Sequence, residues 1–213
     1  MGTPALKHNE KFAWEQYRQW PDDERWELIG GEAFAMTPSP GVRHQNVSGR
    51  LFSRFERFFE GGKCRPFTAP LDVKLSNTDV VQPDLLVVCD PKQITETHIE
   101  GAPKLAVEII SPSSESHDRL KKMKLYEKFG VAEYWIVTTY PPLIEIYALD
   151  DSGRFRLYSG GTLGDTIESP AFSGLEIKLD DVFDIPYTED EMRIFRVKEP
   201  PAKYESNGAR NRG

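Results

Sequence analysis

Positive charge is in short supply in this chain. Its 213 residues carry 27 Lys and Arg against 34 Asp and Glu, a net charge of −7. That balance disfavours a histone-like polycation that coats nucleic acid without regard to sequence. It does not exclude a nucleic-acid enzyme, because a metal-dependent site itself gathers carboxylates. Long apolar runs are missing too. No stretch approaches the roughly 20 residues of a membrane helix, so no transmembrane segment is expected. The opening MGTPALKHNEKFAWEQ has charges at Lys7, Glu10 and Lys11 where an export signal is apolar. Leu6 stands where N-myristoylation requires Ser or Thr. The expected address is the cytoplasm. Cysteine is scarce: Cys64 and Cys89 stand alone, without CxxC spacing or a neighbouring His. Both are expected to be buried small apolar residues rather than a disulfide or a metal pair.

Familiar catalytic signatures are also absent. There is no GxxxxGK[ST], no GxGxxG and no GxSxG, and the Gly160-to-Gly164 segment GGTLG reads as a turn. Ser116, His117 and Asp118 are consecutive, so they cannot form a triad with one another, and they read as a solvated helix start. Asn46-Val47-Ser48 matches a glycosylation sequon but falls inside a predicted helix.

What is present is aromatic residues and alternation. Twelve Phe, eight Tyr and four Trp argue against wholesale disorder. FAWEQYRQW (12–20) has helical character and stops at Pro21. RWELIGGEAFAM (25–36) reads as a hairpin turning at Gly30-Gly31. Val47, Leu51, Phe55 and Phe58 predict a helix over 42–60, ended by Gly61-Gly62. Strands are expected around 64–68, around 70–75 and at 85–89, then a loop over 90–103 and a strand at 104–111. SSESHD supplies N-capping side chains for a helix over about 116–129. Strands at 133–137, 143–149, 154–158 and 175–179 complete the list. This order implies an α/β fold, a central mixed β-sheet flanked by helices with additional β-hairpins. Residues 12–185 form the expected single domain, between a flexible N-terminus (1–11) and a loose C-terminal extension (186–213).

Glu108 is the residue that asks for an explanation. In LAVEII, Leu105, Val107 and Ile109 point one way, and Ala106, Glu108 and Ile110 the other. Both faces are apolar, so the strand is expected to be central, and a lone carboxylate inside it must be paired, protonated or bound to a metal. Asp84 follows Pro83 and opens a second apolar strand. Two carboxylates at neighbouring strands, with the backbone carbonyl of Ile109 as a third ligand, suit Mg²⁺. Asp118, Lys122, Tyr126 and Phe129 recur on one helix face. That turns Lys122 inward and leaves Lys121 and Lys128 more exposed. Singly, each feature has a plain structural reading: Pro-Asp as a strand entry, a lysine-rich helix as a solvated face.

Together, PDLLVV, VEIISPSSESHD and KLYEKFGVAEYWIV resemble the Uma-two family of restriction-endonuclease-like proteins, found in bacteria and belonging to the PD-(D/E)XK nuclease superfamily. The WELIGGEAFAM hairpin, the helix of His44 and AFSGLEIKLDDVF extend the likeness over roughly 12–184. The resemblance implies a restriction endonuclease-like fold and phosphodiester hydrolysis. It makes Asp84 the PD aspartate and Glu108 the following acid. Ile110 stands where the superfamily lysine is expected, and Lys122 from the next helix is the match. Glu27 and His44 would border the site, though His44 also fits a hydrogen-bonded core histidine. The implied cofactor is Mg²⁺, with Mn²⁺ as substitute, and the implied partners are nucleic acid, DNA foremost, and a second copy of the chain. Arg43, Arg50, Arg54 and Arg57 could help to hold the substrate. A non-enzymatic nuclease-fold module and a hydrolase of small phosphoesters remain the alternatives.

Overall fold

The computed structural model describes residues 10–21, 24–36, 41–110 and 118–184. The N-terminus expected to be flexible lies largely outside these residues, and the C-terminal extension lies wholly outside them. The capping side chains expected from Ser113 to Asp118 are also outside what is described.

The strand that attracts attention in the sequence is the centre of the molecule. β8 (Leu105–Ile110) is buried at all six positions. It lies in a six-stranded sheet between β6 (Leu85–Val88) and β9 (Glu133–Thr139). β3 (Arg65–Thr68) flanks β6, while β10 (Pro142–Leu149) and β11 (Phe155–Gly161) continue beyond β9. Every neighbouring pair in this sheet is antiparallel except β8 and β9. A parallel step needs a crossover. Here the connection runs through a π-helical turn, Asp118–Lys122, into α3 (Met123–Phe129). Gly130 ends that helix in the left-handed conformation at φ 75°, as expected of a helix-terminating glycine.

One face of the sheet carries α2 (Val42–Phe59), β12 (Thr166–Glu168), β13 (Glu176–Lys178) and α4 (Leu179–Val182). Val47, Leu51, Phe55 and Phe59 of α2 enter this core. Phe58, expected on that stripe, is 39% exposed, because the buried row steps by four throughout and its last member is Phe59. The opposite face meets a second sheet: β2 (Glu32–Ala35), β1 (Trp26–Ile29), β5 (Asp79–Val81), β4 (Val73–Ser76) and β7 (Ile99–Glu100), in that order. Val73, Leu75, Val81 and Ile99 pack there with Leu86, Ala106, Ile110 and Tyr126. The architecture is the expected α/β one, with a central mixed sheet and few helices. β5, β7 and β12 are additions, short strands where the sequence predicts none, β7 falling inside the expected loop over 90–103. The first helix is shorter than expected, α1 spanning only Trp14–Tyr17.

The cysteines correct their sequence reading. Cys64 and Cys89 form a disulfide, with Cα atoms 4.0 Å apart. β3 and β6 pair with Arg65 opposite Val88, so the next pair outward is Cys64 and Cys89. A 25-residue separation reveals nothing of this, because the juxtaposition comes from strand register.

Candidate active site

β6 and β8 pair with Leu85 opposite Val107. Continuing that register by one step sets Asp84 opposite Glu108, on the face that looks toward the second sheet. Pro83 bars the residue before it from helix and holds the entry to β6 extended. Asp84 then accepts the main-chain N–H of Ile109 on Oδ2 at 2.8 Å. Its other oxygen, Oδ1, lies 3.2 Å from Nε2 of His44 in the first turn of α2. Within a strand, the N–H and C=O of one residue leave the backbone on the same side. By that rule the Ile109 carbonyl points to the β6 side of the strand, as its N–H does.

Glu108 is 4% exposed, and its compensation is supplied by α3 and the π-helical turn. Nζ of Lys122, itself 3% exposed, lies 2.9 Å from Glu108 Oε1 and 3.0 Å from Glu27 Oε1. The Tyr126 hydroxyl donates to Glu108 Oε1 at 2.9 Å. Burial, followed by the charge of Glu108, raises the Tyr126 pKa far above that of an ordinary phenol, so the hydroxyl stays a donor. The outward lysines separate as the helix face implies: Lys121, Lys124 and Lys128 are exposed.

Glu27 arrives from β1 of the second sheet and is 5% exposed. Besides Lys122 it accepts the main-chain N–H of Gln82 at 2.9 Å. Gln82 is held in turn: Arg25 donates to its Oε1 at 3.1 and 3.0 Å, and its Nε2 donates to Asp72 at 3.0 Å. The segment Gln82-Pro83-Asp84 is thus fixed on both sides of the proline. Neither the Gln82 contacts nor the Tyr126 bond to Glu108 stands out in the sequence. Tyr126 shares the helix face of Lys122, which was the available signal, while Gln82 offered none beyond its place before Pro-Asp.

Asp84, Glu108, Glu27, Lys122 and His44 therefore come together, joined by Ile109 through its backbone. Three carboxylates meet one ammonium, so acidic groups outnumber basic ones in the cluster. Among the described residues, no group of three His, Cys, Asp or Glu side chains converges as a preformed metal cage. Magnesium does not demand one: it is commonly held by one or two carboxylates and keeps several waters. The hard oxygen donors here fit that ion. Two of the arginines considered for substrate binding are engaged elsewhere. Arg50 pairs with Asp184, and Arg54 lies 3.2 Å from Asp181. A groove of about 340 Å³ lined by Cys89, Gln93, Pro103, Lys104 and Gly130 lies at the other ends of these strands, and no acidic residue of the cluster lines it.

The mixed central sheet with few helices is an α/β domain that shares its fold with a solved putative nuclease. The chain belongs to the Uma2 family, described as a putative restriction endonuclease, whose model matches residues 14–180. An uncharacterized protein of Synechocystis sp. is 32% identical over 151 residues, covering 69% of this chain and 79% of that protein. The crystal structure of a putative nuclease belonging to DUF820 from Anabaena variabilis superposes with a TM-score of 0.65. Identity there is 17%, over 81% of this chain and 98% of the other, so that likeness concerns the fold. No helix among the described residues is long and apolar enough to cross a membrane.

Proposed function

We propose that the protein is a Mg²⁺-dependent endonuclease that hydrolyses phosphodiester bonds in DNA, with Mn²⁺ able to substitute. The observation that carries this reading is the opposition of Asp84 and Glu108 across β6 and β8, with Lys122 held against Glu108. Asp84, Glu108 and the Ile109 carbonyl would hold the ion. Once bound, the ion would supply charge neutralisation at the scissile phosphate and a more acidic bound water. Lys122 would orient the attacking water and offset the negative charge that develops on the phosphate oxygens. Tyr126 would fix the Glu108 carboxylate by donating to Oε1, and His44 would orient Asp84. Glu27 would hold Lys122 from the opposite side, keeping its ammonium in place as substrate arrives. Membership in a nuclease family supports the same reaction class. A second copy of the chain would bring a second such site beside the first.

The test is incubation of supercoiled plasmid with purified protein and Mg²⁺ or Mn²⁺, beside an EDTA control and Glu108→Ala. Nicking that vanishes in both controls is the expected result. Equal inertness of wild type and Glu108→Ala would instead favour a non-enzymatic role for the fold.

A further inference from the structure

Two cation–aromatic pairs border the acidic cluster. The Arg43 guanidinium carbon lies 5.7 Å from the ring centroid of Tyr140, and Tyr140 is 43% exposed. The Lys121 ammonium lies 4.2 Å from the ring centroid of Phe34. The fold ties both pairs to the site. Arg43 precedes His44, which contacts Asp84. Tyr140 follows β9, where Ile136 pairs with Glu108. It thus stands four residues beyond the level of Glu108, roughly 13 Å along the strand direction. Lys121 precedes Lys122, and Phe34 pairs with Glu27 across the β1–β2 hairpin. The carboxylates therefore have one cation–aromatic pair toward α2 and the other toward the hairpin. Val42 and Leu120, beside Arg43 and Lys121, are 86% and 63% exposed.

In a duplex the base faces are stacked on one another, and only backbone and groove edges meet a protein. An exposed ring backed by a guanidinium offers little to that surface, whereas it matches the open π-face of an unpaired base. We propose that the site takes an unpaired nucleic-acid strand, such as a single strand, flap or frayed end, with a base stacked on Tyr140 and Arg43 and a phosphate on Lys121. This rests on the phosphodiesterase reading and specifies its substrate.

The experiment measures binding of wild type, Tyr140→Ala and Tyr140→Trp in EDTA to a labelled single-stranded oligonucleotide and to its blunt duplex, at one fixed salt concentration. Cleavage of both forms in Mn²⁺ is followed in parallel, and thermal melts confirm that the variants fold. Wild type should bind and cut the single strand in preference to the duplex. Tyr140→Ala should weaken single-strand binding about tenfold, the scale of one lost stacking contact, and leave duplex binding unchanged. Tyr140→Trp should restore it. Glu108-dependent cleavage without strand preference, or an unaltered Tyr140→Ala, overturns this inference and leaves the phosphodiesterase reading standing. Failure of wild type to bind or cut either form overturns both.

Discussion

Lys122 and Tyr126, one helical turn apart, donate to the same oxygen of Glu108, each at 2.9 Å. One helix face thus supplies both the counter-charge and the hydrogen bond that an acid buried in an apolar strand requires. The two donors are not equivalent. Lys122 also serves Glu27, whereas the Tyr126 hydroxyl lies against Glu108 alone among the hydrogen bonds described. Tyr126→Phe keeps the packing and removes one bond to a charged acceptor. It should cost about 2 kcal/mol in a urea melt, and it should lower cleavage by loosening Glu108 while leaving substrate binding near wild type.

Lys122→Met removes the ammonium that Glu27 and Glu108 share. The two buried carboxylates then lose their shared counter-charge and keep only the hydrogen bonds from Tyr126 and from the Gln82 N–H, and stability should fall by about 3 kcal/mol. A divalent cation should recover part of that loss. The check is the melting temperature of wild type and variant with Mg²⁺ and with EDTA, the variant showing the larger metal-induced rise.

The cystine closes a loop of 25 residues that contains all of β4 and β5. Chain-entropy reasoning assigns such a cross-link about 3 kcal/mol. Reduction with dithiothreitol, or Cys64→Ser with Cys89→Ser, should lower the urea midpoint accordingly. Because the bridge lies at the far end of β6 from Asp84, Mn²⁺-dependent cleavage by the reduced but folded protein should be retained.

Asp79 is 1% exposed and anchors the turn of the β1–β2 hairpin. Burial alone would raise its pKa. The Gly30 N–H at 2.8 Å, the Ser76 hydroxyl at 2.8 Å and Lys128 at 3.2 Å together outweigh it and hold the pKa below its ordinary value of 3.8. A lowered folded-state pKa stabilises the protein above the unfolded-state pKa, and that contribution is lost as pH falls through the folded value. Asp79→Asn should therefore be less stable than wild type by about 1–3 kcal/mol at neutral pH. The gap should narrow as pH drops below about 4. Denaturant melts of both proteins between pH 7 and 3 test the sign.

Much of the site was legible because burial of charge leaves a mark in the sequence. Glu108 interrupts an apolar strand, and the spacing of Lys122, Tyr126 and Phe129 turns that lysine toward it. Asp84 was legible through Pro83. The second sheet was not, since β5 has three residues and β7 two, too short for an alternating pattern to emerge. The cystine was hidden for a different reason: register between β3 and β6 is a property of the folded sheet. Phe58 and Phe59 show the resolution limit of periodicity, since adjacent aromatics at a helix end fit the apolar stripe almost equally well.

The two salt bridges of Lys122 differ in how far the chain must travel to make them. Its partner Glu108 is 14 residues away in sequence, whereas Glu27 is 95 away and belongs to the other sheet. Loop-closure entropy makes the longer connection harder to form by about 2 kcal/mol if the intervening chain is free. A fluctuation that lifts the β1–β2 hairpin from the second sheet would thus release Glu27 first, while Glu108, Lys122 and Tyr126 stay together in the central core. The ammonium would then answer to a single carboxylate. Amide exchange at Gln82, whose N–H is capped by Glu27, would report that opening before the amides of β8 began to exchange.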